Sequence, residues 1–153
     1  MKPNLTLAIS LLGFALATPA LLAEEAHLAA ATKEAQADHM LEGYSEVSSA
    51  LYKDDLAAAK KAAGDLVKSD KGSALVKHCQ AIADSKTLDE ARLHFKELSD
   101  AAIPTAKDKK TMHEMHCPMA FGGKGASWLQ KSPDEVQNPY FGATMPHCGD
   151  EVK

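Results

Sequence analysis

The sequence predicts an all-α protein: an antiparallel four-helix bundle with a Pro/Gly-rich C-terminal loop region packed on it. Three observations lead there. Residues 24–103 are rich in alanine and contain no proline, so helix is favoured throughout. Their apolar residues recur at spacings of three and four, the period of a helix with one buried face. Beyond Pro104 the pattern changes, and proline and glycine punctuate the chain from Pro118 to Gly149.

Each helix has its own signals. The first is expected to end near Tyr52, with Leu41, Tyr44, Val47 and Leu51 on one face. Its start is blurred, because alanine and charge run back to Glu24. Asp54 or Asp55 can cap the second helix, which carries Leu56, Ala59, Ala63, Leu66 and Val67. Lys71-Gly72-Ser73 breaks it, and Ser73 can cap a third helix with Leu75, Cys79 and Ile82 together. The fourth begins at Thr87, with Glu90 three residues on as in a capping box. Leu88, Ala91, Phe95, Leu98 and Ala102 form its stripe, and Pro104 is expected to stop it. Alanine-rich stripes let helices approach closely but leave a modest core. Phe121, Trp128, Tyr140 and Phe141 all lie in the last third, so that segment is expected to fold over the helices and supply part of the core. Ser132-Pro133 can start a short helix; the rest of 104–153 reads as loop.

Residues 1–23 are set apart from the fold. Lys2 precedes an apolar run from Leu5 to Leu22 that ends in small residues before Glu24 and Glu25, the pattern of a secretory signal peptide. Cleavage is expected after Ala23, with Ala20 as the alternative. No second long apolar run follows, so the mature chain is expected to be free of the membrane, in the bacterial periplasm, where disulfides can form. The organisation is then a signal peptide at 1–23, helices at 24–103, and a C-terminal segment at 104–153 that belongs to the same domain.

Composition excludes several functions. A chain of 153 residues allows one domain. Lys plus Arg number 17 against 21 Asp plus Glu, a net charge of -4 with no basic stripe, which argues against nucleic acid. No Cys-x-x-Cys motif, thioredoxin-like pattern or nucleophile–base–acid set stands out, so an enzyme is not expected.

The chemistry is concentrated near the C-terminus. Of the fifteen Cys, Met and His beyond residue 23, nine lie within 111–148. They form two clusters, Met112-His113-Glu114-Met115-His116-Cys117-Pro118-Met119 and Met145-Pro146-His147-Cys148. Thiolate and thioether are soft donors that select copper(I), and imidazole suits copper as well as zinc. Carboxylates are nearly missing from the clusters, which disfavours calcium and magnesium. The methionines rank zinc below copper; silver(I) is served by the same donors. An extended chain at Pro118 would let Cys117 and Met119 project together as a soft clamp, with Met145 and His147 doing the same. The expected metal ligands are Cys117, Met119, Met145 and Cys148, with His116 or His147 completing or gating the site. The alternative is that Cys117 and Cys148 form a structural disulfide, whose closed loop would stabilise the fold by roughly 3 to 4 kcal/mol. Away from the clusters, His27 and His39 read as surface residues, Cys79 as a small buried apolar group, and His78 and His94 as structural histidines.

Cys117-Pro118-Met119-Ala120, Gly125-Ala126-Ser127-Trp128-Leu129, Asn138-Pro139-Tyr140-Phe141-Gly142, Met145 and Cys148-Gly149 together resemble a bacterial periplasmic domain-of-unknown-function family. That family occurs alone in secreted proteins and at the C-terminus of periplasmic adaptors of heavy-metal efflux systems. Asp54-Asp55 followed by an alanine-rich helix also fits it. The resemblance implies a helical domain with a Cys- and Met-bearing loop that handles copper or silver. The matching positions are Cys117, Met119, Met145 and Cys148, with His116 also familiar before the cysteine. A heavy-metal efflux adaptor or a copper-accepting envelope protein is the implied partner. In the alternative reading, the disulfide-braced module docks on such an adaptor or another envelope protein.

Overall fold

The structure is a computed structural model that describes residues 19–70, 72–107 and 109–153. The signal-peptide expectation falls largely on residues 1–18, outside the described residues. The chain divides into two compact units, Met1–Glu34 and Ala35–Lys153. In the first, the described residues 19–34 are helical and belong to α1 (Pro19–Tyr52). No helix among the described residues is long and apolar enough to cross a membrane.

The second unit is mostly helical and also contains a small antiparallel sheet. The rest of α1 is followed by α2 (Leu56–Ser69), α3 (Val76–Asp84) and α4 (Leu88–Ala106). Their stripes are the expected ones: Tyr44, Val47 and Leu51 on α1, Leu66 on α2, Cys79 and Ile82 on α3, and Phe95, Leu98 and Ala102 on α4 are all buried. Asp55 caps α2, its carboxylate accepting the Ala58 N–H at 2.9 Å. Thr87 caps α4 by accepting the Glu90 N–H at 3.2 Å, while Glu90 reaches back to the Lys86 N–H at 2.7 Å. Small residues set the spacing. A Cβ on Gly43 of α1 would lie 2.3 Å from Leu66 Cδ2, so the α1–α2 approach needs glycine there.

Two helix boundaries differ from expectation. Pro104 does not stop α4, which runs on to Ala106. A proline in the last turn removes one backbone donor, Thr105 Oγ1 donates to the Ala102 carbonyl at 2.7 Å, and Ala106 is buried. Ser73 does not cap α3 directly. The buried carboxylate of Asp70 instead organises the turn, accepting from Gln36 Nε2 at 2.7 Å and from the Gly72 and Ser73 N–H groups at 3.2 Å. Ser73 Oγ then takes the Leu75 N–H at 3.1 Å, one residue before the helix begins.

The C-terminal segment is not loop throughout, and the all-α expectation is corrected by it. Three strands, β1 (His113–Cys117), β2 (Ala126–Gln130) and β3 (Asp150–Glu151), form an antiparallel sheet in the order β2-β1-β3. Met115 pairs with Trp128 on one side of β1 and with Glu151 on the other. The physical reason is a period of two, with Met115 and Cys117 buried and His116 exposed between them. The short helix at Ser132-Pro133 is also absent. Gln130 Nε2 donates to the Ser132 and Glu135 carbonyls, and Ser132 Oγ accepts the Asp134 N–H at 3.2 Å, a tight turn in place of a helical one.

Trp128 and Tyr140 enter the core beside the helices, as expected. Tyr44, Phe95, Tyr140 and Trp128 form a chain of ring contacts with centroids 5.0, 5.9 and 5.9 Å apart. Two tyrosines also occupy the outer edge of β2. Tyr44 Oη accepts the Leu129 N–H at 3.0 Å, and Tyr140 Oη donates to the Ser127 carbonyl at 2.5 Å. An edge that would offer unpaired backbone groups is thereby covered.

Candidate functional site

Cys117 is the last residue of β1 and pairs with Ala126 of β2. Cys148 precedes β3, which runs along the opposite side of β1 with Asp150 against His116. The two cysteines, 31 positions apart in the chain, therefore meet with Cα atoms at 5.6 Å and are joined as a disulfide. Cys117 is fully buried and Cys148 half-buried.

The segment 138–148 carries Cys148 to this place. Asn138, fully buried, is its organiser. Its Nδ2 donates to the Cys148 carbonyl at 2.7 Å and its backbone N–H to the Pro146 carbonyl at 2.9 Å. Its Oδ1 accepts the Tyr140 N–H at 2.8 Å, and its carbonyl accepts the Gly142 N–H at 3.1 Å. Gly149 has φ +141°, and a Cβ there would stand 2.7 Å from the Trp128 ring and 3.0 Å from the His116 carbonyl. Only glycine lets the chain turn so tightly into β3.

The helices anchor the same segment. Arg92 of α4 donates from Nε to the Pro139 carbonyl at 3.0 Å, and from Nη2 to the Leu51 carbonyl at 3.1 Å and to Asp54 Oδ1. Asp54 Oδ2 accepts the Ala143 N–H at 3.0 Å. That N–H, and then Arg92, hold the Asp54 carboxyl below its ordinary value. Sequence reasoning missed Asn138, Arg92 and Asp54 as parts of the site. For two of them the available signal is their company: Asn138 opens the Asn-Pro-Tyr-Phe-Gly string, and Asp54-Asp55 leads into the alanine-rich helix.

The six expected ligands are placed unequally. Cys117 and Cys148 are brought together. Neither clamp of alternate residues forms: Met119 sits in a turn with φ -86° and ψ -13°, and is 57% exposed while Cys117 is buried. Met145 is half-buried and His147 exposed, with the Cys148 N–H bonded back to the Met145 carbonyl at 3.3 Å in a turn. A proline turn breaks the alternation in each case. His116 is exposed, its Nδ1 is 3.1 Å from Ser127 Oγ, and its ring lies over Gly125, where a Cβ would come within 2.9 Å. His147 Nδ1 is 2.8 Å from the Val136 carbonyl. A carbonyl only accepts, so Nδ1 carries the proton and Nε2 of the neutral ring keeps its lone pair free to coordinate.

The rest of the Met/His cluster is taken up by the fold. Met115 is buried, Met112 packs against the core, and His113 Nδ1 is 2.7 Å from Glu151. Cys79 is a buried free thiol, and burial pushes its pKa up to about 11, which disfavours the thiolate. His78 and His94 both stand 3.5 Å from Glu97 Oε2. Among the described residues, no three His, Cys, Asp or Glu side chains converge as a metal-holding group.

Comparison of the chain with protein-family models, with curated proteins and with solved structures gives no match.

Proposed function

We propose that this protein is a non-enzymatic copper(I)-binding protein of the bacterial periplasm, serving copper tolerance, storage or delivery. The observation that carries the reading is the meeting of Cys117 and Cys148 at the end of β1, between two chain segments that also bear His116, Met119, Met145 and His147. The donor set fits the ion: two thiols, two thioethers and two imidazoles are soft or borderline, with no carboxylate among them. Reduced to thiolates, the cysteines would supply charge and affinity. Met119, exposed, and Met145, half-buried, would add thioethers that bind without losing a proton. The free Nε2 of His147, oriented by the Val136 carbonyl, suits a ligand whose other ring nitrogen is already fixed. Silver(I) would be taken by the same donors, and zinc less well.

The rest of the reading is consistent with this. The leader at 1–23 directs export. The helices are read as an antiparallel four-helix bundle, supported by Tyr44 against Phe95 and Gly43 against Leu66. The resemblance to the C-terminal domain of heavy-metal efflux adaptors suggests such an adaptor, or a copper-accepting envelope protein, as partner.

One observation favours a second reading. Cys117 is fully buried in a disulfide, as a permanent brace would be. The protein would then be an interaction module that docks on an envelope partner. Competition of the reduced protein against a chromogenic copper(I) chelator separates the two. Wild type should compete, while Cys117→Ser and Met145→Leu should each compete less, with helical content unchanged. Equal competition by all three would remove these residues as ligands.

A further inference from the structure

We infer that Cys117 and Cys148 form a reversible gate on the proposed soft-metal site, closed as the disulfide and open as the dithiol, with Asn138 as the positioning residue that keeps the two sulfurs paired when the gate is open. The inference rests on the copper(I) reading and adds its regulation.

The frame around the pair does not depend on the S–S bond. Cys117 is held by its register against Ala126. Cys148 is held by the Asn138 amide on its carbonyl and by the β3 pairing that follows it. Asn138 is in turn fixed through Pro146, Tyr140 and Gly142, and the segment it organises is tied to the helices through Arg92 and Asp54. Opening the disulfide removes none of these bonds. The two thiols would remain neighbours, able to close again or to share one ion.

The unequal burial of the two cysteine residues gives the exchange a direction. Cys117 is fully buried, while Cys148 is half-buried. A thiolate of a dithiol reductant therefore attacks the Cys148 sulfur. The S–S bond breaks, a mixed disulfide forms at Cys148, and Cys117 leaves as a thiolate and takes a proton. The reductant's second thiol displaces Cys148, which is protonated in turn, and the reductant ends as its own disulfide. Two electrons pass to the protein. Disulfide sulfurs carry no thiolate charge, so the closed form offers an ion only the methionines and histidines. The remaining cysteine, Cys79, is buried on α3 and offers no competing partner.

The test uses the purified protein without oxygen, in its oxidised form and after reduction by dithiothreitol with the reductant removed. Copper(I) is offered in competition with a chromogenic chelator, and the thiol–disulfide equilibrium is read in glutathione buffers. The gate predicts that the reduced form competes, the oxidised form does not, and added copper(I) shifts the equilibrium toward the reduced form. Far-UV circular dichroism should be the same for both forms. Asn138→Asp replaces the amide donor with an oxygen facing the Cys148 carbonyl. It should weaken copper(I) binding by the reduced form about tenfold or more, and should also disfavour closure of the disulfide against glutathione. A purely structural Asn138 would lower thermal stability and leave that equilibrium where it was, which would overturn its role. Equal competition by oxidised and reduced wild type would overturn the gate while leaving a Met/His metal site standing. Competition by neither form would overturn the copper(I) reading and the gate with it.

Discussion

Tyr44 Oη lies 3.0 Å from the backbone nitrogen of Leu129 and accepts its N–H across 85 positions of chain. The same hydroxyl is 2.7 Å from Ser99 Oγ, so one buried group joins α1, α4 and β2. Burial raises the Tyr44 pKa far above the ordinary range, and the side chain acts only as a neutral hydrogen-bonding group. Tyr44→Phe keeps the ring against Phe95 but strands a backbone donor and a serine hydroxyl. The expected cost is about 1–3 kcal/mol, read by urea unfolding. Adding Ser99→Ala should cost less than its effect alone, because its partner is already gone.

Asp54 carries an acid-sensitive part of the stability. Its carboxyl is held below the ordinary aspartate value of 3.8 by the Ala143 N–H first and Arg92 second. A carboxyl with a lowered folded pKa stabilises fully above its unfolded value, and that contribution is lost as pH falls through the folded one. Asp54→Asn tolerates the positive φ of +58° but removes the charge. With the side chain 37% exposed, solvent discounts the loss to about 1 kcal/mol near neutral pH. The gap between variant and wild type should close below pH 3.8. Denaturation midpoints measured at neutral and at strongly acid pH check the sign.

Gly43→Ala tests the α1–α2 approach. The new Cβ would stand 2.3 Å from Leu66 Cδ2 and 2.7 Å from Cγ, and Leu66 is only 3% exposed. Alanine's better helix propensity offsets part of the clash, leaving a net loss of about 1–2 kcal/mol. Leu66→Ala in the Gly43→Ala background should cost less than in wild type, which a thermal-melt double-mutant cycle reads directly.

Removing the disulfide should weaken the fold without abolishing its helices. The closed loop spans 31 positions, and Cys117→Ser with Cys148→Ser should lower stability by about 3–4 kcal/mol. Circular dichroism at moderate temperature should show the wild-type helical signal, since no helix holds either cysteine. Guanidinium unfolding of oxidised wild type against the double variant measures the difference.

The helices were legible because their signals are local. Tyr44, Val47 and Leu51 repeat at helical spacing, and the bonds around Thr87 and Glu90 span only four residues. The sheet was hidden because β1 is built from His, Glu, Met and Cys rather than β-branched residues, and the same residues read as a ligand cluster. The alternation of Met115 and Cys117 about His116 is present in the sequence, but the proline and glycine nearby favour loop. At the site, the soft residues and the meeting of Cys117 with Cys148 could be named from composition and spacing. Asn138, Arg92 and Asp54 could not. Arg92 reaches 38 and 47 positions to Asp54 and Pro139, and such long-range partners leave no periodic trace.

The most direct test of the central claim is a copper(I) titration of the fully reduced protein against a chromogenic chelator, read as the copper-to-protein ratio at saturation. A tight ratio near one, lost in the Cys117→Ser, Cys148→Ser double variant, is the result predicted for one soft-metal site at the cysteine pair. No withdrawal of copper from the chelator would contradict it, and would leave Cys117 and Cys148 as a brace between sheet and loop.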